Sequence, residues 1–249
     1  MNLQKVVSTT PLSNFIFWGF VLVFLGACQG KTNIQDYYYP IKNLQSPKVY
    51  EYRASSDSFP PYYRYFRTIV TSEQVFFTEN FYDHQFETRQ FAREERVKEG
   101  MLLREMFLYM PDNQGKMQVV KANIHVAASF PFVVTDSNGV FVYNISFTNP
   151  NDNSTNTIVR NRRFVKKTTI TFKEKQYEAI VFEVKELLEN ELKGTWKHEF
   201  KITEVYAKDL GLVSSSREMG DGRVLDYHLH DIYTMEDLES KYQRQIQPK

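Results

Sequence analysis

Cysteine is almost absent. The one residue of this type in 249, Cys28, excludes an internal disulfide, and the five scattered histidines do not restore a cysteine-rich zinc fold. Neither sign of charge dominates: 31 Lys and Arg stand against 30 Asp and Glu, so nothing drives the chain toward nucleic acid. Glycine is sparse at ten residues, and no Gly-X-Ser-X-Gly element, phosphate loop or dinucleotide fingerprint occurs. No cofactor is called for, and no convergent acid, base and nucleophile can be named, so the chain reads as a non-enzyme. No apolar run reaches the roughly 20 residues of a membrane-spanning helix. What the sequence holds in quantity is aromatic: 20 Phe, 16 Tyr and 2 Trp, a composition rich in strand formers. With 42% hydrophobic residues it is also too apolar to stay disordered.

The longest apolar run, Phe15 to Ala27, is preceded by Lys5 and matches the core of a secretory signal peptide. Leu25-Gly26-Ala27-Cys28 ends it, and the polar Gln29-Gly30-Lys31 follows. These four residues resemble the lipobox of bacterial lipoproteins. The resemblance implies that residues 1–27 are removed and that Cys28 becomes the lipid-modified first residue. A thiolate is the natural nucleophile for that thioether, and small neighbours admit a protease. Removal takes away Lys5 and no acid, leaving a formally neutral chain. Anchoring would therefore rest on acyl chains and not on a polybasic patch. In Gram-negative lipoproteins an Asp after the Cys retains the protein in the inner membrane. Gln29 stands there instead, so the resemblance implies the outer membrane.

Residues 28–45 read as a tether that becomes ordered near Tyr37-Tyr38-Tyr39. Residues 46–235 read as one antiparallel β domain, and 236–249 as a C-terminal helical tail. Tyr50 and Tyr52 alternate with Glu51 and Arg53; Phe141, Tyr143, Ile145 and Phe147 alternate with Val142, Asn144 and Ser146; and Phe200, Ile202, Glu204 and Tyr206 alternate with Lys201, Thr203 and Val205. Turn clusters fall at 55–61, 112–115, 137–139, 149–153 and 220–222. A hairpin turning at Glu99-Gly100 fits residues 84–110 better than a helix. Helical patterning is confined to Lys185–Leu192 and Met235–Gln245. The expected fold is mainly β: a curved antiparallel sheet or incomplete β-barrel of about ten strands, with one or two short helices.

Tyr206-Ala207-Lys208-Asp209-Leu210-Gly211-Leu212-Val213 resembles a strand–turn–strand element of uncharacterised envelope proteins. Thr169 to Ala179 is similar to the hairpin that precedes it there. Those proteins look like relatives of the lipoprotein-localisation-factor fold, an incomplete barrel with a hydrophobic inner face. The likeness lends a shape and no catalytic residue. Two glycines of the pattern are missing here, with Asp209 at one position and Glu174 or Lys175 at the other. Asp tolerates the left-handed backbone such a turn needs.

Candidate sites are few. Tyr62, Tyr65 and Phe76 are candidates to line a cavity for an acyl chain or aromatic ligand, against the plainer reading that they fill the concave face. Asp226, His228 and His230 share a strand face at ligand spacing, but a polar outer face explains them as well, and no metal site is assigned. Arg160, Arg162, Arg163, Lys166 and Lys167 lie on one long strand and read as a salt-bridged outer face, with contact to an anionic surface polymer as the alternative. The function expected is a lipid-anchored envelope module that binds a protein, glycan or lipid partner without catalysis. The alternative is a carrier for a hydrophobic ligand on the concave face.

Overall fold

The structure, a computed structural model, describes residues 30–135 and 140–246. The chain begins with a short strand β1 (Lys31–Asn33) and two 3-10 turns (Gln35–Tyr37 and Asn43–Gln45). A meander follows: β2 (Lys48–Ala54), β3 (Tyr62–Val70), β4 (Val75–Tyr82), β5 (Thr88–Arg96) and β6 (Gly100–Pro111). Next come β7 (Met117–Lys121), β8 (Asn123–Pro131), β9 (Val133–Thr135) and β10 (Val140–Thr148). Two long strands, β11 (Thr155–Phe172) and β12 (Lys175–Glu191), lead into β13 (Thr195–Ala207), β14 (Gly211–Glu218) and β15 (Val224–Tyr233). Helix α1 (Met235–Ile246) ends the described chain.

The strands order as β5-β4-β3-β2-β15-β14-β13-β12-β11-β10-β8-β6-β7, and β5 pairs again with β6. That last pairing closes the sheet into an antiparallel barrel. Closure leaves no long unpaired edge, the usual liability of a large sheet. Strand β7 lies outside the ring order against the second half of β6, and β1 pairs with β9 as a separate ribbon.

The hairpin at Glu99-Gly100 forms as the sequence indicates, with Arg96 opposite Met101. The turn clusters at 55–61, 112–115, 149–153 and 220–222 separate strands, while 137–139 lies outside the described residues. The helix expected over Lys185–Leu192 does not form. Lys185 to Glu191 continue β12 and are hydrogen-bonded on both sides, Leu188 facing Ile158 on one and His198 on the other. Backbone pairing with two neighbours outweighs the helix propensity of Glu, Leu and Lys, which is a weak local bias.

The β11–β12 turn places Lys173 (φ 47°) and Glu174 (φ 64°) in the left-handed region, the backbone of a type I′ hairpin. Neither residue suits it. Changing the pair to Asn-Gly is expected to stabilise the fold by about 1 kcal/mol, since strain relief exceeds the extra freedom glycine gives the unfolded chain. Urea denaturation checks this. Asp209 (φ 63°) adopts the left-handed conformation that the motif around Tyr206–Val213 requires.

Inward-facing aromatics make the main core, and the N-terminal segment completes it. Ile34, Tyr37, Tyr38, Tyr39 and Leu44, all within the stretch 28–45, are buried in the same cluster as Tyr50, Phe66, Phe77 and Phe182. Tyr39 packs 4.2 Å from Phe66 and 5.3 Å from Phe77; Tyr38 lies 5.1 Å from Phe130. Backbone bonds hold the segment down, from Ile34 N to Phe132 O at 2.8 Å and from Asp209 N to Asp36 O at 3.1 Å. These residues form a plug at one end of the barrel.

Helix α1 lies on the outer wall. Thr234 and Asp237 cap it reciprocally: the Asp237 amide donates to Thr234 Oγ1 at 3.1 Å, and the Thr234 hydroxyl to Asp237 Oδ2 at 2.6 Å. Leu238 is buried with Val49 and Tyr63, and Lys241 Nζ reaches the buried Glu51 carboxylate at 3.0 Å. Thr234→Ala is expected to lower stability by about 1 kcal/mol, the usual value of an N-cap, with loss of helical signal in circular dichroism.

Candidate functional site

Side chains alternate along each strand, so every second residue enters the barrel. Among β3, β4 and β5 the inward set includes Tyr62, Arg64, Phe66, Phe77, Glu79, Ala92 and Glu94, cross-paired in register. On the opposite wall, β10 to β14 present Phe141, Tyr143, Arg160, Arg162, Glu186 and Glu204, with Tyr206 beyond them. These two walls enclose a cavity of about 270 Å³ above the plug. Tyr38 and Tyr39 form part of its floor.

The chamber is charged. Arg160 stands directly opposite Glu186 in the β11–β12 register, with Nε 3.0 Å from Oε2, and its Nη2 donates to Glu204 Oε1 at 2.8 Å. Arg162 Nη2 lies 3.0 Å from the other Glu204 oxygen, to which the Tyr206 hydroxyl also donates at 3.2 Å. Arg217 of β14 pairs with the remaining oxygen of Glu186. Across the chamber Arg64 lies 3.3 Å from Glu79, and the Tyr38 hydroxyl donates to Glu94.

Burial alone would raise the Glu204 carboxyl, but Arg162 and Arg160 beside it hold it down at about 2. For Glu94 the balance is opposite. Burial pushes it above the usual carboxylate range, and the bond from Tyr38 only partly opposes that. The arginines are not saturated: Nε of Arg64, Arg160, Arg162 and Arg217 is buried without a hydrogen-bond acceptor. For Arg160 this holds despite the close Glu186 oxygen, which forms an ion pair off the N–H direction. Buried donors without acceptors are uncommon and costly. The rest of these side chains is less enclosed, at 26% (Arg64), 27% (Arg160) and 29% (Arg217) exposure.

An aromatic stripe continues along the same face of β13. Trp196, His198 and Phe200 follow one another in steps of two from Glu204 and Ile202. The Trp196 and His198 rings are nearly parallel (8°) with centroids 5.6 Å apart, and His198 lies 4.2 Å from Phe200. The Arg217 guanidinium sits 4.1 Å over the Phe200 ring. Trp196 is 56% exposed, unusual for the largest apolar side chain.

The residues singled out in the sequence are dispersed. Tyr62 faces inward, stacked 4.9 Å from Tyr52. Tyr65 and Phe76 occupy the opposite face: Tyr65 packs with the Val49–Leu238 cluster under α1, and Phe76 lies 5.0 Å from the Arg93 guanidinium. Cys28 lies outside the described residues. His228 Nε2 meets Asp226 at 2.8 Å and Ser55 at 3.0 Å. Among the described residues no group of three or more His, Cys, Asp and Glu is placed to hold a metal ion.

The basic run on β11 requires a correction. It lies on one long strand as read, but Arg160 and Arg162 point into the barrel and pair with Glu186 and Glu204. Arg163, Lys166 and Lys167 are exposed, with a bulge between Phe164 and Lys166 breaking the alternation. The available signal was the phase of β13, where Glu204 falls on the same face as Phe200, Ile202 and Tyr206. A carboxylate at an apolar position demands a buried cation.

The outer wall is itself charged, with pairs such as Lys197–Glu189 at 2.5 Å and Arg104–Glu95 at 2.6 Å. That is unlike the apolar belt of a membrane-spanning barrel. No helix among the described residues is long and apolar enough to cross a membrane. A second cavity of about 280 Å³ lies on this outer side beneath α1, lined mainly by Val49, Tyr63, Tyr82, Phe86, Leu238 and Tyr242.

No family model matches the chain, and no curated protein is similar to it in sequence. Two solved structures resemble it in shape. One is of a provisionally named lipoprotein from Parabacteroides distasonis ATCC 8503, at 10% identity and a TM-score of 0.49, covering 81% of this chain and all of that one. The other is of an exported protein from Bacteroides fragilis NCTC 9343, also provisionally named and described as having a YmcC-like fold. It shows 13% identity and a TM-score of 0.46, over 75% of this chain and 95% of that one.

Proposed function

We propose that this protein is a non-catalytic binding module of the cell envelope, held at the outer membrane by lipid on Cys28, whose ligand enters the charged chamber of the barrel. The observation that carries the reading is the Arg160–Glu186–Arg217 and Arg162–Glu204 cluster, with guanidinium donors left over. Burying ion pairs seldom stabilises a fold as well as apolar packing would. A barrel that keeps four arginines inside, with Nε–H groups unmet, retains them at a stability cost that ligand binding can repay.

The same observation weighs against a carrier for a hydrophobic ligand in this space. An acyl chain would strip water from the arginines and glutamates and return no hydrogen bond. Of the aromatics that favoured that reading, Tyr65 and Phe76 lie on the opposite face and Tyr62 is already stacked on Tyr52.

Metabolic labelling with a radioactive fatty acid tests the anchor. The wild type should carry label and fractionate with outer membranes, while Cys28→Ser should carry none and appear in the soluble fraction. Equal labelling of both, or of neither, overturns the anchored reading. Crosslinking in intact cells, with mass spectrometry of captured proteins, glycans and lipids, tests the binding. Lipid recovered stoichiometrically from the chamber would reverse the preference for a polar ligand.

A further inference from the structure

The aromatic stripe lies on the same face of β13 as Glu204, which lines the chamber. Trp196 lies eight positions before Glu204, about 27 Å of strand at the usual rise. The lower end is lined by the guanidinium groups of Arg64, Arg160 and Arg162, and the upper end offers flat rings, of which Trp196 is half exposed. A ligand that satisfies both must carry a negatively charged acceptor at one end and extend as flat, weakly apolar rings. We propose that this surface binds the end of an acidic oligosaccharide, with a uronate carboxylate among Arg160, Arg162 and Arg217 and the following sugar rings against His198 and Trp196. The inference rests on the binding-module reading and names its ligand class.

Three features favour a sugar acid over other anions. Guanidinium groups take carboxylates in paired hydrogen bonds, and the chamber's volume of about 270 Å³ suits one monosaccharide, near the lower end of ligand-pocket sizes. The carboxylates already present, Glu186 and Glu204, can accept from sugar hydroxyls, whereas they would repel a densely charged phosphate. Finally, the stripe, with rings at alternate strand residues, is too long for a small anion. Aromatic faces and polar groups at one end are suited to a ligand with an apolar ring face and a polar periphery.

The test uses the full-length protein purified in detergent, with calorimetric titration of tetrasaccharides of galacturonate, of mannuronate and of hyaluronan. Maltotetraose and free galacturonate serve as the neutral and single-ring controls. At least one acidic tetrasaccharide should bind, maltotetraose should not, and free galacturonate should bind more weakly than its tetramer. Trp196→Ala should weaken the tetrasaccharide by about tenfold, the equivalent of one aromatic contact, and leave free galacturonate unchanged. Arg217→Met should weaken both. Thermal melts of the two variants establish that the fold persists; Trp196 is exposed, so its replacement keeps the test valid even if Arg217→Met is unstable. Absence of binding by all three acidic tetrasaccharides overturns the proposal, as does binding that Trp196→Ala leaves unchanged. Because affinity is read on purified protein, its failure leaves the Cys28 anchor standing. Failure of fatty-acid labelling likewise leaves the sugar site standing.

Discussion

Glu204→Ala is expected to lower the unfolding free energy by about 3–5 kcal/mol, the loss typical of a buried ion pair deprived of one partner. The side chain is almost fully enclosed, and its two oxygens separately meet Arg160 at 2.8 Å and Arg162 at 3.0 Å. Truncation leaves Arg160 with Glu186 alone and takes from Arg162 its carboxylate partner, leaving that cation against the Phe182 and Tyr206 rings at 5.7 and 5.8 Å. Exposed pairs on the outer wall, such as Lys185–Glu199 at 3.8 Å, should change stability by less than about 1 kcal/mol when broken. The contrast between the two sites, read from urea denaturation, separates a structural role inside the barrel from solvated charge outside it.

Acid should reproduce part of this loss. The Glu204 carboxyl is held at about 2 in the folded protein, below the 4.5 usual for Glu. A depressed folded value means that its contribution is complete above the unfolded value and is lost as pH falls from there through about 2. Wild-type stability should therefore decline across that window. Glu204→Gln, which keeps the shape and cannot ionise, should decline less steeply while being less stable at neutral pH. Parallel pH profiles for the two proteins, or a neutral-pH stability unchanged in Glu204→Ala, would refute the assignment of this pair as the chamber's main charged contact.

How far these features could be read in the sequence depended on how local their causes were. The hairpin at Glu99-Gly100, the turn clusters and the start of α1 follow from a few adjacent residues, such as Thr234 and Asp237, and were legible. Strand alternation was legible too, and it placed Phe200, Ile202, Glu204 and Tyr206 on one face. What it could not supply was which face becomes the inside. That is settled when β2 meets β15, Val49 opposite Tyr233, a contact that no local pattern encodes. Hence Arg160 and Arg162 read as an outer face, since charged residues are rarely enclosed. Lys185–Leu192 read as a helix because its residues favour one in isolation, whereas its strand state depends on pairing with β11 and β13. The tyrosines at 37–39 were visible as an ordering point. Their burial beneath the chamber depends on residues as distant as Gly211.

That last contact carries the second large effect. Gly211→Ala is expected to destabilise the protein by about 2–5 kcal/mol, combining left-handed strain with overpacking. Gly211 has φ +85°, and a Cβ there would lie 2.3 Å from Cδ1 and 2.6 Å from Cε1 of the Tyr39 ring. The ring cannot retreat, because Phe66, Phe77 and Tyr50 surround it. Tyr39→Ala should be costly in its own right, by about 3–5 kcal/mol for the cavity left behind. The informative variant combines the two. Once Tyr39 is truncated the added methyl has room, and only the backbone strain of about 1–2 kcal/mol should remain from the substitution at 211. The double mutant should accordingly be more stable than the sum of the single losses predicts, by roughly the 1–3 kcal/mol of overpacking. Denaturant titration of the four proteins closes this cycle. Strict additivity would mean that Gly211 is required for its backbone alone, and that the turn after β13 does not grip the tyrosine plug.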